Sequence, residues 1–435
     1  MEKRTAAVHN LGCKVNAYEA EAMQELLENA GYRIVSFEDK ADVYIVNTCT
    51  VTNIADRKSR QMLHRARSHN PDAIVVAAGC YAQTGQKSLE EDGTVDLILG
   101  NDRKQTIVQA IETVLRTREK TEDVIDIAAS REYEDLHISR TAEHIRAFIK
   151  VTDGCNQFCS YCLIPYARGR VRSRQPSDVL QEIRTLADRG YKEVVLTGIH
   201  LSSYGTDLPY RSSLLSLIDS VSGIKEIERI RLGSLEPGII TEDFVSALLC
   251  CPSVCPHFHL SLQSGCDETL RRMNRHYTSS EYAEKCSLLR TYFRDPAITT
   301  DIIVGFPMET EEEFEASYRF VEEMRFYETH IFKYSRRTGT RAASMPGQIP
   351  EEVKNRRSEM LQELNRRRIH EYEAGFIGRP VQVLLEEEKV LNGQRYMTGH
   401  TKEYLPAAVR ADGKHKTNDL VMIVPSGFPA PHMLA

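Results

Sequence analysis

Two successive α/β units followed by a small β-rich tail are what this sequence predicts. The first reads as an N-terminal parallel α/β sandwich. The second reads as a closed or partly closed barrel of six strand–helix units, and the tail as a small β-barrel. Three observations carry this reading. At 435 residues the chain is too long for one ordinary core, so two or three domains are expected. Short apolar runs alternate with helical patterns in two separate series, as in parallel sheets flanked by helices. The last stretch then changes to short strands separated by Gly, Asn and Asp turns.

In chain order, the first unit spans residues 1–120. Its strand candidates are "AAVHNL" (6–11), "RIVSF" (33–37), "DVYIVN" (42–47), "AIVVAA" (73–78) and "VDLILG" (95–100). The helix "AYEAEAMQELLENAG" puts Ala22, Leu26 and Leu27 on one face and stops at Gly31. A charged, weakly patterned stretch begins at 118, and residues 121–143 read as the linker. The second unit, with its connecting helix, spans 144–375. Its strands are "IRAFIKV" (145–151), "KEVVLTG" (192–198), "RIRLGS" (229–234), "HFHLSLQS" (257–264), "ITTDIIVGF" (298–306) and "THIFKYS" (329–335). The helix 176–190 opens at Pro176 and closes at Gly190, and a long helix (350–375) leads into the tail, 376–435. A barrel of this kind carries its chemistry on loops at the C-terminal ends of the strands.

Composition restricts the classes. Hydrophobic residues make up 41% and charged residues 27%, and no apolar run approaches the ~18 residues of a membrane span. The N-terminus has basic residues but no apolar signal core, so no export signal is read and a cytoplasmic, membrane-free protein is expected. Eleven cysteines are too sparse for a disulfide scaffold and point to metal ligands or reactive thiols. The net charge of −6 argues against nucleic acid, but four basic patches argue for it: 56–67, 166–174, 271–277 and 355–368. Each patch alone reads better as a solvated helix face, and only the four together shift the balance modestly.

"DGCNQFCSYCLIP" carries the chemistry. Cys155, Cys159 and Cys162 follow the first barrel strand at C-x3-C-x2-C spacing. A structural zinc site wants four ligands, usually two C-x2-C pairs, and no second pair follows at a suitable distance. A cubane iron–sulfur cluster takes one thiolate per iron, so three cysteines leave one iron open to a substrate or cofactor. Tyr161 adds a ring at the rim of such a cluster. A second group, Cys13, Cys49 and Cys80, is dispersed in sequence, but each cysteine stands just past a strand of the first unit. Open α/β sheets gather such loops at one edge, where ligands bind. Spacing alone leaves a shared metal site and inert buried thiols equally open. Cys250, Cys251, Cys255 and Cys266 read as structural or incidental thiols, and Cys286 as core.

The barrel motif resembles the radical S-adenosylmethionine signature, C-x3-C-x-aromatic-C. "LGCKVNAYEAE", "VNTCTVTNIADRKSRQ" and "GCYAQ", with "IKVTDGCNQFCSYCLIPYARGRVRSR", "VLTGIHLSSYG", "HLSLQSGCDETLRRMNRHYT" and "TDIIVGFPMET", resemble the methylthiotransferase family over essentially the whole chain. The tail resembles that family's TRAM domain. The resemblance implies two 4Fe–4S clusters and S-adenosylmethionine. A radical cluster on Cys155, Cys159 and Cys162 would generate a deoxyadenosyl radical. An auxiliary cluster on Cys13, Cys49 and Cys80 would carry or activate sulfur. Radical chemistry suits a C–H bond that offers no acidic proton.

Within the family, "VNTCTVTNIADRKSR", "TGIHLSSYG" and "HIFKYSRRTGTRAA" look most like the group acting on N6-threonylcarbamoyladenosine 37 of the tRNA anticodon loop. Isopentenyladenosine 37 and a ribosomal-protein aspartate are the alternative substrates. A non-catalytic iron–sulfur RNA-binding protein is the alternative of a different class. Arg168, Arg170 and Arg172 are candidates for contacting the tRNA. By position at strand ends, Thr197, Gly198, Ser234, Glu236, Gln263, Ser264 and Gly305 are candidates, with Tyr161, for holding the cofactor. Met308 stands where the family commonly has glycine. An electron donor such as flavodoxin or ferredoxin is expected, and the sulfur donor is unknown.

Overall fold

The computed structural model describes residues 3–141, 145–209 and 212–435. The expected boundary at 143/144 lies outside the described residues.

The first unit runs β1 (Thr5–Asn10), α1 (Lys14–Asn29), β2 (Arg33–Ile34), β3 (Val43–Thr48), α2 (Asn53–His69), β4 (Ile74–Gly79), α3 (Cys80–Thr84), α4 (Gln86–Glu91), β5 (Leu97–Leu99), α5 (Ile107–Thr117) and β6 (Thr121–Asp123). The strands form one parallel sheet in the order β2-β1-β3-β4-β5-β6. β3 and β4 are buried at every position, as expected of strands covered on both faces. Met23, Leu27, Ile107 and Ile111 pack on one face. Leu63, Ala66, Tyr81 and Leu89 pack on the other. The strand order reverses direction between β1 and β3, and such a switch point opens a crevice at the C-terminal ends of the strands.

Two departures from the sequence reading concern the connector. Thr121–Asp123 adds a sixth strand to the sheet. Further on, Leu136 and Ile138 belong to the core of the second unit, and the Tyr133 hydroxyl donates to the Lys150 carbonyl at 2.8 Å. The charge pattern concealed a strap held by a few apolar anchors.

The second unit contains β7 (Ala147–Asp153), α6 (Ile164–Arg168), β8 (Arg172–Ser173), α7 (Pro176–Asp188), β9 (Glu193–Gly198), α8 (Leu214–Ser222), β10 (Arg229–Leu232), α9 (Glu242–Leu249), β11 (His257–His259), α10 (Asp267–Arg272), α11 (Ser279–Tyr292), β12 (Ala297–Val304), α12 (Glu311–Met324), β13 (Glu328–Lys333) and α13 (Glu351–Ala374). Parallel pairing gives β7-β9-β10 and β11-β12-β13, and bridges Ile230–Val254 and Leu235–Leu260 join the two sets. The period of two separates the faces. Ile149, Val151, Leu196, Ile230, Phe258, Ile298 and Ile302 pack under the helices. The intervening residues, Lys150, Glu193, Arg229, Arg231, His257, His259, Asp301 and His330, turn to the opposite, inner face and make it polar. The strand expected over 257–264 stops at His259, and Gln263 beyond it has a left-handed φ of 73°.

The tail is an antiparallel sheet of β14 (Val381–Leu391), β15 (Gln394–Thr401), β16 (Pro406–Arg410) and β17 (Leu420–Ile423), ordered β16-β15-β14-β17. It docks on the second unit through buried arginines. Arg229 donates to the carbonyls of His400 (2.9 Å) and Gln382 (2.7 Å), and Arg231 to that of Lys402 (3.0 Å). The Tyr404 ring lies under the guanidinium groups of Arg146 and Arg231, at 4.8 and 4.7 Å. Among the described residues no helix is long and apolar enough to cross a membrane.

Candidate active site at two cysteine triads

Cys13, Cys49 and Cys80 follow β1, β3 and β4, adjacent strands of the first sheet, so residues far apart in sequence meet at its C-terminal edge. Cys49 feels the charge of both Cys13 and Cys80, and Cys13 that of Cys80. Cys155, Cys159 and Cys162 occupy the loop between β7 and α6, where Cys162 feels both Cys155 and Cys159, and Cys155 feels Cys159. That loop folds back so tightly that a Cβ on Gly154 (φ +71°) would lie 1.9 Å from the Arg170 carbonyl oxygen. Glycine is required there sterically.

The donor set fits iron–sulfur ligation. N–H groups aim at four of the six sulfurs: Gln157 at Cys155 (3.5 Å), Arg275 Nη1 at Cys159 (3.3 Å), Ile164 at Cys162 (3.4 Å) and Arg168 Nε at Cys80 (3.2 Å). Such donors stabilise thiolates and tune clusters. Without a metal, burial pushes the Cys49 and Cys155 thiols up to about 11 and Cys162 up to about 12. Burial likewise raises Cys13. Free thiols here stay protonated near neutral pH, and a bound metal has to displace those protons. A single-ion site would draw its ligand atoms closer than either triad does. Among the described residues the set gathered within 4.8 Å is His259, Asp301 and His330.

A buried ion network runs from Cys80 of the first triad to the residues that flank the Cys155–Cys162 loop. Arg168, six residues after Cys162, reaches across to Cys80, to Glu19 of α1 (2.7 Å), to Asn16 (2.8 Å) and to Asp153 (3.2 Å). Lys150 binds Glu19 (2.8 Å) and Asp153 (2.6 Å), and Lys104 lies 3.3 Å from Glu19. Burial alone would raise the Glu19 carboxyl, but Arg168, Lys104 and Lys150 outweigh it and hold the group well below the usual range. Four buried cations, counting Arg172, surround Glu19 and Asp153. That excess of positive charge suits an anionic thiolate cluster.

The nominated residues separate on inspection. Arg168 and Arg172 are fully buried, so the expectation that they contact tRNA is corrected: their guanidinium groups serve the interior network. Arg170 is exposed, with its guanidinium 4.5 Å over the Phe158 ring. Glu236 accepts from Arg275 at 2.6 Å, which ties it to Cys159, and Ser234 is exposed beside it. Tyr161 packs edge-on against Phe306 at 6.4 Å. Thr197 lies on the inner face, and Gly198 crosses so close to Thr152 that a Cβ would lie 2.3 Å from its methyl. Gln263 bridges to Ile302. Ser264 turns outward to Ser317 at 2.9 Å, so its hydroxyl serves packing against α12. Arg275 escaped the sequence reading, as did His200, whose Nε2 lies 3.3 Å from the Gln157 amide in the Cys155–Cys162 loop and 3.8 Å from Glu236. Arg275 sits in the patch 271–277, where nothing local distinguishes it from a solvated arginine. Cys251 and Cys286 are core residues, as expected, and Cys255 is buried.

The loop after β12 explains Met308. Its φ of 64° is the left-handed conformation that glycine adopts freely, and the side chain is exposed. In the same loop the Gly305 amide donates to Glu309 at 2.6 Å, and Arg357 Nη1 binds Glu309 at 2.7 Å. Burial nevertheless pushes the Glu309 carboxyl from 4.5 up to about 7. The folded chain then holds a proton that the unfolded chain releases, so this group's contribution to stability falls as pH rises from about 4.5 to about 7, by about 1–3 kcal/mol. Glu309→Gln should gain melting temperature relative to the native chain between pH 6 and pH 7.5. A constant difference across that range would contradict the assignment.

Comparisons with known proteins agree with the cysteine chemistry. Residues 149–321 match the Radical SAM superfamily, and residues 5–100 match Uncharacterized protein family UPF0004. Fold and site together thus define a radical S-adenosylmethionine enzyme with a second cysteine triad on its own α/β domain. The chain is 40% identical over 435 residues to threonylcarbamoyladenosine tRNA methylthiotransferase MtaB of Bacillus subtilis (strain 168), covering 98% of this chain and 95% of that protein. It is 35% identical over 407 residues to tRNA-2-methylthio-N(6)-dimethylallyladenosine synthase of Acetivibrio thermocellus, covering 92% and 84%. Among solved structures, the radical S-adenosylmethionine methyltransferase TsrM from Kitasatospora setae superimposes with a TM-score of 0.57 at 16% identity, covering 78% and 77%. The chain belongs to the methylthiotransferase family of radical S-adenosylmethionine enzymes.

Proposed function

We propose that this chain is a tRNA methylthiotransferase that places a methylthio group on C2 of N6-threonylcarbamoyladenosine 37. One observation carries the reading: buried Arg168, on the helix that closes the Cys155–Cys162 loop, binds Cys80 of the first triad and Asp153 at the start of that loop, which supports sulfur and radical chemistry serving one substrate. The name of the Bacillus subtilis relative supplies the nucleoside.

Cys155, Cys159 and Cys162 would hold the cluster that takes S-adenosylmethionine, and Cys13, Cys49 and Cys80 the auxiliary cluster. When bound, these groups supply one-electron cleavage of S-adenosylmethionine and a sulfur atom for transfer. Arg275 and Glu236 fix the Cys159 side of the site, while the Gly305–Glu309 loop shapes the adjoining wall. Cys13 and Lys14 are solvent-accessible, yet burial, with Arg231 and Arg146, lowers Lys14 to about 8, as expected for groups facing a deep recess. Arg170, with Phe158 beside it, supplies a charged and aromatic edge for an RNA loop.

The domain reading proposed here is the α/β domain at 1–120, the strap to 143, a partial (β/α)6 barrel to 375 and a TRAM-like RNA-binding tail. One-electron cleavage of S-adenosylmethionine calls for an electron donor such as flavodoxin or ferredoxin, and a tRNA substrate for a cytoplasmic site of action. The test is nucleoside mass spectrometry of tRNA from a strain lacking the gene, in a host with no other such enzyme. Loss of 2-methylthio-N6-threonylcarbamoyladenosine, restored by the gene, supports the reading. Its persistence, or loss of the isopentenyl product instead, overturns the substrate assignment.

A further inference from the structure

On the inner face of the second unit, on strands that carry neither cysteine triad, three ligand-bearing side chains converge. His259 ends β11, Asp301 is in β12 and His330 in β13. The parallel register pairs His259 with Thr299 and Asp301 with His330, which places all three on one face of adjacent strands. One ligand atom from each lies within 4.8 Å of the other two. His259 Nε2 is 3.2 Å from Asp301 Oδ2, and the two imidazoles stack at 5.6 Å with 25° between their planes.

We propose that His259, Asp301 and His330 form a binding site for a single divalent transition ion such as zinc, separate from the iron held by the six cysteines. The donor set supports this: two imidazoles and one carboxylate suit zinc and its neighbours far better than calcium or magnesium. Outer contacts also match a metal site. The Thr299 hydroxyl meets His259 Nδ1 at 2.9 Å, leaving Nε2 on the Asp301 side, and Glu328 lies 3.8 Å from His330 Nδ1. Such partners fix ring orientation and tautomer in metal-binding histidines. Because the ligands sit on three hydrogen-bonded strands, the set is pre-formed.

Local charge permits a cation. Burial, together with Arg231 and Lys14, keeps the neighbouring His257 neutral, and Arg231 is itself paired with Glu193 at 2.8 Å. Access is graded across the site: side-chain exposure is 13% at His259, 26% at Asp301 and 43% at His330. Three protein ligands open to solvent on one side leave coordination positions for water or an oxygen of a bound substrate, unlike a closed four-ligand structural site.

The experiment uses the full chain with both cysteine triads reconstituted anaerobically with iron and sulfide, so that those thiols cannot take up zinc. The protein is dialysed against zinc chloride, and zinc and iron are measured in the same sample. About one zinc per chain is expected, with iron unchanged. His330→Gln, at a partly exposed position, and Asp301→Asn should each weaken zinc binding about 10- to 100-fold while iron content stays at the native level. Cys250→Ser, which removes an exposed thiol, should leave zinc unaffected. No zinc uptake by the native chain, unchanged uptake in both variants, or loss of zinc with Cys250→Ser would each overturn the site. The assay needs no turnover, so it stands or falls apart from the tRNA reading.

Discussion

Cys159→Ala should abolish formation of deoxyadenosine and lower the iron content from about eight to about four atoms per chain. Cys159 would have no substitute, because in the proposed cluster each cysteine of the triad would serve a different iron, and Arg275 is positioned at its sulfur, 3.3 Å away. Cys49→Ala should produce the complementary result: the same loss of iron, retention of some S-adenosylmethionine cleavage, and no methylthiolated product. Cys49 lies at the edge of the first sheet, and its replacement leaves the Cys155–Cys162 loop and its N–H donors in place. Cleavage and transfer are read by chromatography of deoxyadenosine and by nucleoside mass spectrometry. Equal loss of both activities in Cys49→Ala would contradict the division of labour between the triads.

The second large effect concerns stability. Glu19→Ala should destabilise the protein by about 3–5 kcal/mol, because it strips the partner from buried Arg168, Lys150 and Lys104. The damage should extend to the site, since Arg168 loses the anchor that holds it against Cys80. Melting temperature and the electron paramagnetic resonance signal of the reduced auxiliary cluster check the two parts. Glu90→Ala, at an exposed position, should change neither. A Glu19→Ala protein as stable as Glu90→Ala would show that the network contributes little.

Much of this was legible in the chain because its strands carry strong local signals. Apolar runs and stop residues placed most strands to within about two residues. The three cysteines at 155, 159 and 162 lie within one loop, so their grouping needs no knowledge of the fold. Weak signals misled where tertiary contacts outvote local pattern. Thr121–Asp123 is a strand only because β5 offers it a free edge. "HFHLSLQS" alternates polar and apolar residues as a strand does, but its ladder ends at His259.

By itself, the sequence determined the α/β class, the grouping of Cys155, Cys159 and Cys162 in one loop and the position of Cys13, Cys49 and Cys80 after three strands, since all of these are functions of local composition and spacing. Tertiary structure alone decided that Arg168 and Arg172 are interior charges and that Arg170 is the exposed one. It also decided that Arg275 faces a cysteine and that His259, Asp301 and His330 converge. The physical reason is the same in each case. An arginine or histidine has the same local signature in water and in a protein interior, and its role depends on the charge and burial supplied by residues distant in sequence, as Glu19 supplies them for Arg168.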